Sequence, residues 1–488
     1  MKHDAEKTLA RSRRASRLAA WTVGRAAAVL SAVVWAPLLF RLLGAAPPVA
    51  RSMGLLVFGL AGWGTGALHQ SLVSVLILIF IPALGLGDFD DAVAGFGEPF
   101  VWLLVSVFIL GKGMETSGLD RRIALALLHL ARGRTRATLR AVYASVVVLG
   151  FLVPTGAGRT AMLTPICTGL LNVIQERLPA GTRDFANLGK SVFIGFSYVT
   201  LMMSWALVTG SVSSVYAVPA IRELTGFEWN YLTWMAACAP AAVIFTFLLD
   251  QVMARVFPVR MTVIPGGLEY IAEQRQQLGA VGPAERRVMV IMALIVLGWM
   301  TEGFHGLPVP MISLAGAALM CLPPVGVQRW EDAATSIKWD VIILFGTGFS
   351  LAQALQKSGA AAWMAQTLAG AFPALPPGAA GLFVLVVMLL ARLGFANMLA
   401  ILATSLPVAV GLGNRWGINP VWLAQLAVIA SSFGFFMPYQ APSLTISYSA
   451  GFYHQRDLLR AGIGAAALMV GVTMVVSLVW WPMLGIKP

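Results

Sequence analysis

Residues 147–171 read VVLGFLVPTGAGRTAMLTPICTGLL. The stretch is apolar on both sides of a Pro-Thr-Gly-Ala-Gly interruption, and Arg159 follows that interruption. Irregular backbone at membrane depth survives only where it is buried in protein or lines a cavity. The stretch therefore predicts a re-entrant hairpin over about residues 141–176, inside a helical membrane protein.

The composition of the whole chain agrees with a membrane protein. Of its 488 residues, 58% are hydrophobic and 11% are charged, against roughly 25% charged in a soluble domain. So few charges cannot cover a soluble surface, which excludes an ordinary soluble enzyme, and the aromatic content excludes a disordered chain. Since a membrane helix takes about 20 apolar residues, the length holds about ten to twelve spans. The predicted fold class is an all-α polytopic membrane protein.

The basic excess of the chain fits membrane topology better than nucleic-acid binding. Lys and Arg number 34 against 21 acidic residues, a net charge of +13, and basic residues collect in cytoplasmic loops. Residues 1–25 are basic and predict a cytoplasmic N-terminus. A cleaved signal peptide is the alternative, but Arg41 interrupts the apolar stretch that it would need. The polar stretch 258–287 predicts a cytoplasmic loop between two halves, 26–257 and 288–488.

The two halves carry the same landmarks in the same order. A Ser-Gly pair ends an apolar run at Ser117 and again at Ser358; a proline follows 48 residues later at Pro165 and 49 residues later at Pro407. The second half is therefore predicted to contain a hairpin of its own, over about 379–413. The predicted broken helices, one in each half, are residues 191–221 and 419–450.

Charge indicates how the two halves are oriented. Residues 119–140 hold six arginines and an apolar stripe, which predicts one amphipathic interfacial helix on the cytoplasmic side. The corresponding residues 359–378 hold no Lys or Arg. Equivalent elements with such different charge are expected on opposite faces of the membrane, which is an inverted-topology repeat. Chance similarity between apolar segments is the alternative.

Four interruptions place polar groups at membrane depth. They lie at residues 154–159, 209–214, 394–398 and 438–444. Helix ends exposed by such breaks bind substrates and ions in inverted-repeat transporters; alternatively, Gly, Ser and Pro here mark only kinks or close packing. The candidate substrate-binding residues are Thr155, Gly156, Arg159, Ser211, Ser213, Ser214, Asn397, Pro442 and Ser443, with Gln440 as a further polar group.

Two arginines, Arg159 and Arg392, lie beside the predicted hairpin tips. An arginine within a membrane is costly and marks a functional site, and its paired donors suit a carboxylate or a sulfate. The alternative is that each side chain reaches the membrane interface or pairs with a helix end. No nucleophile–histidine–acid set, metal-ligand cluster or cofactor motif accompanies them. The sequence thus predicts a protein that is not an enzyme and holds no cofactor.

Longer stretches carry a family resemblance. Residues 337–365, IKWDVIILFGTGFSLAQALQKSGAAAWMA, and residues 433–463, FGFFMPYQAPSLTISYSAGFYHQRDLLRAGI, resemble the divalent anion/sodium symporters, the family of dicarboxylate, citrate and sulfate carriers. Residues 72–110 and 276–300 resemble its early spans and its mid-chain loop. The resemblance implies a homodimer in which a transport domain moves like an elevator against a dimerising scaffold. It also implies motifs that bind sodium and substrate carboxylates.

The hairpin-tip motifs depart from the family's Ser-Asn-Thr pattern. Counted back from the following proline, the first motif falls on Thr155-Gly156-Ala157 and the second begins at Asn397 or one residue earlier. The resemblance thus places sodium ligands at Thr155 and Asn397, yet most side-chain oxygens of the motifs are missing. We therefore expect the Arg159 guanidinium to replace a sodium ion as a tethered cation. The alternative keeps sodium on backbone carbonyls, with Arg159 at the interface.

The sequence predicts a secondary transporter of a small anion. A dicarboxylate, another organic acid or a sulfate-like oxyanion would cross a bacterial inner membrane by alternating access. A non-transporting membrane anion sensor on the same scaffold is the alternative that the eroded motifs favour. A membrane-embedded enzyme is a third class, and the missing catalytic cluster argues against it.

The inverted repeat is tested by labelling single cysteines from one side of the membrane. In a variant without the three native cysteines, Arg134→Cys and Phe372→Cys are expected to react with a membrane-impermeant maleimide from opposite faces of oriented vesicles, because the two arm segments differ in charge. Labelling of both positions from one face contradicts the inverted repeat. Solubilised vesicles provide the control, since both cysteines must then react.

Overall fold

The computed structural model describes residues 24, 26–65, 67–153, 155–177, 182–360, 363–364, 367, 373–394 and 398–488. These residues form helices joined by turns, with one isolated bridge between Arg134 and Val263. The helices before residue 280 are α1 (Ala26–Leu42), α2 (Pro47–Thr65), α3 (Gln70–Ala83), α4 (Phe89–Val93), α5 (Pro99–Ser117), α6 (Leu119–Leu130), α7 (Thr135–Leu152), α8 (Gly156–Arg177), α9 (Arg183–Ala206), α10 (Val212–Thr225), α11 (Tyr231–Val256) and α12 (Gly267–Leu278). Those after it are α13 (Pro283–Met300), α14 (Glu302–His305), α15 (Val309–Cys321), α16 (Trp330–Thr335), α17 (Trp339–Lys357), α18 (Pro377–Gly394), α19 (Met398–Trp416), α20 (Pro420–Ser431), α21 (Pro442–Ser449) and α22 (Gln455–Val475).

Four of the described helices are long and apolar enough to cross a membrane. They are α5, α7, α11 and the helix that begins with α22 and continues to Leu484. Shorter apolar helices are α1, α3, α15, α18 and α20. Two short helices that meet at a break can together cover the thickness that one long helix spans. The mixture of lengths therefore fits a membrane protein with interrupted helices.

One compact unit consists of residues 1–98 and 339–371. In its described part α17 lies against α2 and α3. The Nζ atom of Lys357, in the last turn of α17, lies 2.6 Å from Oδ1 of Asp91 in α4. Asp91 also belongs to the capping box that begins α4. The unit therefore takes one segment from each predicted half of the chain.

The second compact unit, residues 99–338 and 372–488, contains both predicted hairpins. Its two halves repeat one packing pattern: α7 and α8 lie against α9, and α18 and α19 lie against α20. The segments beyond the breaks cross over, because α10 contacts α19 and α20 whereas α21 contacts α8 and α9. Each half thus contributes a helix to the surroundings of the other half's hairpin.

Both predicted hairpins are pairs of helices, and both are slightly longer than expected. The first, α7 with α8, covers 135–177, and the second, α18 with α19, covers 377–416. The break predicted at 154–159 is wrong in extent, since Gly156–Arg159 already form the first turn of α8. The second tip, at residues 395–397, lies outside the described residues.

Both predicted broken helices are present, but the breaks begin earlier than expected. The first break covers 207–211, between α9 and α10, and was predicted at 209–214. The second covers 432–441, between α20 and α21, and was predicted at 438–444. In both cases the polar residues that suggested a break lie partly in the helix that follows it, because Ser and Pro are favourable in a first turn.

The prediction of a single amphipathic helix over 119–140 is wrong. Helix α6 ends at Leu130, and the chain turns through Arg132 and Gly133, whose φ angles are 50° and 71°. The loop before α12 holds this turn: Thr135 N donates to Thr262 O over 3.0 Å, and Ile264 N donates to Gly133 O over 2.8 Å. Tertiary hydrogen bonds therefore divide a stretch whose charge pattern alone reads as continuous.

The predicted polar loop 258–287 is partly helical and is tied to α6. It contains α12 and the start of α13. The Arg122 guanidinium lies 2.6 Å from Glu285 Oε1 through Nε, and its two terminal nitrogens donate to the carbonyls of Leu278, Gly279 and Ala280. This contact holds the pKa of the Glu285 carboxyl below its usual range, chiefly through the hydrogen bond from Arg122. One arginine thus joins α6 to the linker between the halves.

Replacement of Arg122 is expected to destabilise the protein in a pH-dependent way. Arg122→Gln should cost about 2 kcal/mol at neutral pH, because it removes charged hydrogen bonds and leaves carbonyls unpaired. A carboxyl whose pKa is lowered on folding stabilises above its unfolded pKa, and this contribution is lost as pH falls through the folded-state pKa. The difference in melting temperature between wild type and variant, measured in detergent, should therefore be larger at about pH 7 than at about pH 3, where only the loss of the carbonyl contacts remains.

The neighbouring arginine provides the control for this measurement. Arg121 is exposed and donates to the side chain of Gln274, so Arg121→Gln should change the melting temperature little. Equal effects of the two substitutions, or an Arg122→Gln effect that is as large at low pH as at neutral pH, would contradict the assigned role.

Candidate functional site

The first hairpin tip is closed by a side-chain cap. Thr155 Oγ1 accepts a hydrogen bond from Gly158 N over 3.1 Å, and Thr155 O accepts from Arg159 N over 3.1 Å. Glycine at 156 and 158 and alanine at 157 leave the first turn of α8 without bulk. A Cβ on Gly156 would lie 2.9 Å from the Thr200 methyl group of α9. The small residues therefore let the tip approach α9 closely.

The first break lies directly beside this tip. A single 3-10 turn, Val208–Gly210, separates extended residues Leu207 and Ser211. Ser211 caps α10, since its Oγ accepts from Ser214 N over 3.2 Å, and Ser214 Oγ donates to Ser204 O over 2.7 Å. A side chain on Gly210 would meet the carbonyl oxygen of Met203 at 2.4 Å, so only glycine fits this turn.

Arg159 connects the tip to the break. Its side chain is fully buried, and Nη2 donates to Gly210 O over 3.4 Å. Its Nε and Nη1 atoms have no hydrogen-bond partner among the described residues, which leaves three N–H donors unused. Unpaired buried donors on a charged group are costly. Burial contradicts the alternative in which this arginine lies at the interface, and it leaves the guanidinium short of an acceptor.

The second break is organised around Gln440, which is fully buried. Its Oε1 atom accepts from Phe436 N and Met437 N, each over 2.9 Å, and its Nε2 atom donates to Arg392 O over 2.7 Å. The Arg392 guanidinium, also fully buried, donates from Nη2 to Gln440 O. One glutamine therefore ties the break to the end of α18. Arg392 is buried and does not reach a surface, but the pairing of each arginine with a helix end, the other form of the alternative, is present at both breaks.

The two breaks have the same backbone form. Leu207 and Met437 are both extended (φ −123° and −130°), each precedes a three-residue 3-10 turn, and Ser211 and Ala441 are both extended again (φ −159° and −151°). In both, the carbonyl of the last residue in the turn accepts from a buried arginine. The arginines differ in one respect: Arg159 follows its hairpin tip, whereas Arg392 precedes the other.

The structure brings together most of the predicted site residues. Thr155, Gly156, Arg159, Ser211 and Ser214 surround the first tip and break. Ser213 is buried within α10, while Pro442 is exposed and Ser443 is buried in the first turn of α21. Helix α21 lies against α8, so the second break is joined to the first hairpin. Asn397 lies outside the described residues, and its predicted role stays a prediction.

Several contributors to the site gave no signal in the sequence. The Gly210 carbonyl is a backbone acceptor, which no side chain reports. Tyr198 of α9 has its hydroxyl oxygen 2.7 Å from Phe435 O in the second break and 3.0 Å from Leu458 O in α22. From the sequence, a tyrosine in an apolar helix is expected only to fill the core, because its carbonyl partners cannot be predicted. These bonds join the two halves inside the core.

The hairpin tips and the breaks lie in stretches whose charged residues are all basic. Residues 141–175 and 377–450 contain no Asp, Glu, Lys or His; their charged residues are Arg159, Arg392 and Arg415. Arg415 is exposed at the end of α19. The tips and breaks therefore carry buried positive charge without a carboxylate of their own, an arrangement that suits a small anion.

Comparisons with known proteins agree with such a membrane transport protein. Residues 24–487 match the family described as "Sodium:sulfate symporter transmembrane region". A citrate/succinate antiporter of Escherichia coli is 26% identical over 403 residues, which cover 80% of each chain. A sodium-dependent dicarboxylate transporter of Staphylococcus saprophyticus is 23% identical over 459 residues, or 87% of this chain and 85% of the relative. The YdaH transporter of Alcanivorax borkumensis resembles the fold alone, with a TM-score of 0.53 at 16% identity over 90% of this chain and 100% of that one.

The fold and the site define the protein as a polytopic helical membrane transporter. Because the family match extends over nearly the whole sequence, the chain belongs to the divalent anion/sodium symporter family, as its sequence resemblance indicated. The family transports small anions across membranes.

The role of Gln440 predicts a large difference between two buried glutamines. Gln440→Leu removes three hydrogen bonds to backbone groups and should lower stability by about 3 kcal/mol. Gln425, also fully buried, contacts only Cys238 Sγ through its Nε2, and its Oε1 has no partner among the described residues. Gln425→Leu should therefore be neutral or stabilising. Melting temperatures of the purified variants test this, and similar losses in both would contradict the assignment.

Proposed function

We propose that this protein exchanges small dicarboxylates across a bacterial inner membrane without sodium. The observation that carries the proposal is the pair of buried arginines, Arg159 and Arg392, each bonded to the carbonyl that ends a helix break. The dianion would bind between the tips and the breaks. Thr155, Gly156, Ser211, Ser213, Ser214, Pro442 and Ser443 would line the site, with Asn397 at the second tip.

Charge balance favours exchange over net uptake. A dicarboxylate carries two negative charges, and the two guanidinium groups carry two positive charges, so the loaded site is close to neutral. When the site is empty, the buried Arg159 guanidinium stays in an apolar interior with its Nε and Nη1 atoms unpaired among the described residues, and a buried charge of this kind costs several kcal/mol. If this penalty rises further during the change of access by about 3 kcal/mol, empty return is slower than loaded return by about 100-fold. Bound dianion would thus be required in both directions.

The residue content also disfavours coupling to protons. A proton-coupled carrier needs a group that gains and loses a proton near neutral pH, usually a carboxylate or a histidine. Residues 141–175, 186–221 and 377–450, which include both tips and both breaks, contain neither. Arginine keeps its proton under all ordinary conditions. The coupling that remains is exchange of one anion for another.

Sodium is disfavoured by the same residues. A sodium site needs several oxygen ligands held close together, and the Gly210 and Gln440 carbonyls each already accept from a guanidinium. A cation beside them would meet like charge. One similar protein is named an antiporter and another a sodium-dependent transporter, so both forms of coupling occur among relatives. The two buried arginines favour antiport.

The repeat supports alternating access. The matched backbone at both breaks and the crossed packing of α10 and α21 are what two inverted halves, 26–257 and 288–488, would produce. In the mechanism that we propose, both hairpins and both broken helices move together like an elevator in a homodimer. The N-terminus and the 258–287 linker would be cytoplasmic because both are basic.

Transport assays in proteoliposomes test this function. Wild-type protein should take up labelled succinate into vesicles loaded with succinate, at equal rates in sodium chloride and choline chloride, and about 100-fold more slowly into empty vesicles. Arg159→Gln and Arg392→Gln should each lower exchange at least about tenfold, because a charge-assisted contact to the dianion is lost.

The controls separate loss of the site from loss of the fold. Arg415→Gln removes an exposed arginine from α19 and should leave exchange unchanged. Melting temperature and size-exclusion profile verify that each variant is folded. Uptake that collapses in choline, with Arg159→Gln indistinguishable from wild type, would overturn the tethered-cation proposal. Equally fast uptake into empty vesicles would overturn obligate exchange.

A further inference from the structure

A cavity of about 900 Å³ lies at the start of α7 and is not lined by the residues of the tip or the break. Its walls come from the end of α6, the first turns of α7 and the 259–262 segment. Arg134, Arg136, Arg140 and Arg260 line it, and none of the lining residues is acidic. The dicarboxylate site proposed above makes no use of this cavity.

Only one of these four arginines has a carboxylate partner among the described residues. Arg140 Nη2 lies 2.8 Å from Asp250 Oδ2. Arg134, Arg136 and Arg260 are exposed and form no ion pair within the described part of the chain. Three arginines of the lining thus have no ion pair, while the Asp184 carboxylate accepts from the backbone N atoms of Arg260 and Met261 behind it. This excess of positive charge suits an anionic group.

A buried hydroxyl provides an independent sign of a ligand. Thr135 is 2% exposed and lines the cavity, and its Oγ1 has no hydrogen-bond partner among the described residues. Its backbone N is already used, because it donates to Thr262 O. The cap position before it, Arg134, supplies no side-chain acceptor to the first turn of α7. A free hydroxyl beside an uncapped helix start is suited to oxygen atoms of an anion.

The rest of the lining is apolar. Leu127, Leu130, Val259 and Met261 take part, and Leu130 is 74% exposed. Helix α7 is apolar enough to enter a membrane, and its arginines are concentrated at its start, so its first turn suits the boundary between hydrocarbon and water.

The exposed face of α7 changes from basic to apolar along the helix. Arg136 and Arg140 are followed at the same four-residue spacing by Ala144 and Val148, and all four are exposed. Arginine at the boundary followed by small apolar residues along one helix face matches an amphiphile better than a free ion.

We propose that this cavity binds an anionic phospholipid. The phosphate would contact Arg134, Arg136, Arg260 and the Thr135 hydroxyl, and one acyl chain would follow the exposed face of α7. Basic pockets beside membrane helices recognise anionic headgroups in this way. A free phosphate would use the arginines but not the apolar lining. The lipid would hold α6, the start of α7 and the linker together at the membrane surface.

Native mass spectrometry of the full-length protein with added phosphatidylglycerol tests the proposal. Each guanidinium near a membrane surface changes affinity about fivefold, so Arg134→Gln/Arg260→Gln should lower the affinity about 25-fold. Thr135→Val is the sharper variant: it should weaken binding about tenfold and leave the melting temperature in lipid-free detergent unchanged, since the hydroxyl has no protein partner.

The controls use the same change of charge elsewhere. Arg275→Gln/Arg286→Gln removes two exposed arginines that do not line the cavity and should keep wild-type affinity. Phosphatidylcholine and inorganic phosphate should bind at least tenfold more weakly than phosphatidylglycerol. Equal binding of phosphatidylcholine, binding of inorganic phosphate as tight as that of the lipid, or unchanged affinity in Thr135→Val and the arginine pair would each overturn the proposal.

Discussion

A buried guanidinium bonded to the last carbonyl of a broken helix is the interaction on which the centre of this protein depends. A helix interrupted within an apolar core exposes a carbonyl that its own turn cannot satisfy, and an arginine in the same core needs acceptors. A hydrogen bond from the guanidinium to the carbonyl satisfies both groups. The contact occurs at Gly210 and again at Gln440, and in both places it fixes a hairpin against the break. Without it each break would lose the arginine donor to its last carbonyl.

The same contact constrains the helices around it. The tip of α8 must lie close to α9, which accounts for the small residues at 156–158, and the turn that presents the first carbonyl accepts only glycine at 210. At the second break a glutamine side chain replaces part of the helical hydrogen bonding, since Gln440 satisfies two backbone donors and one acceptor. The same backbone conformation is therefore stabilised in two ways: by small residues and a glycine turn at the first break, and by the Gln440 side chain at the second.

Much of this architecture could be predicted from the sequence. Apolar runs interrupted by Pro, Gly and Ser indicated both hairpins and both breaks, and charge within an apolar run indicated Arg159, because such signals reside in the residues themselves. The predictions were wrong where contacts with segments distant in sequence determine the local structure. The turn at Gly133 depends on a hydrogen bond from Thr135 N to Thr262 O and on one from Ile264 N to Gly133 O. Helix α12 begins inside a stretch whose polarity suggested a loop. The carbonyl partners of both arginines could not be predicted, since backbone acceptors leave no mark in a sequence.

The positions of the two arginines relative to their tips have a consequence for the relation between the two halves. In halves that descend from one duplicated unit, an inherited arginine would occupy the same place in both copies. Here one arginine lies on the helix after its tip and the other on the helix before it, although both reach the matching carbonyl. If the two halves are repeats of one unit, the two arginines occupy positions that are not equivalent in that repeat. The matching carbonyl contact is then reached from two different helices, so the likeness of the two breaks lies in the backbone and not in the residues around it.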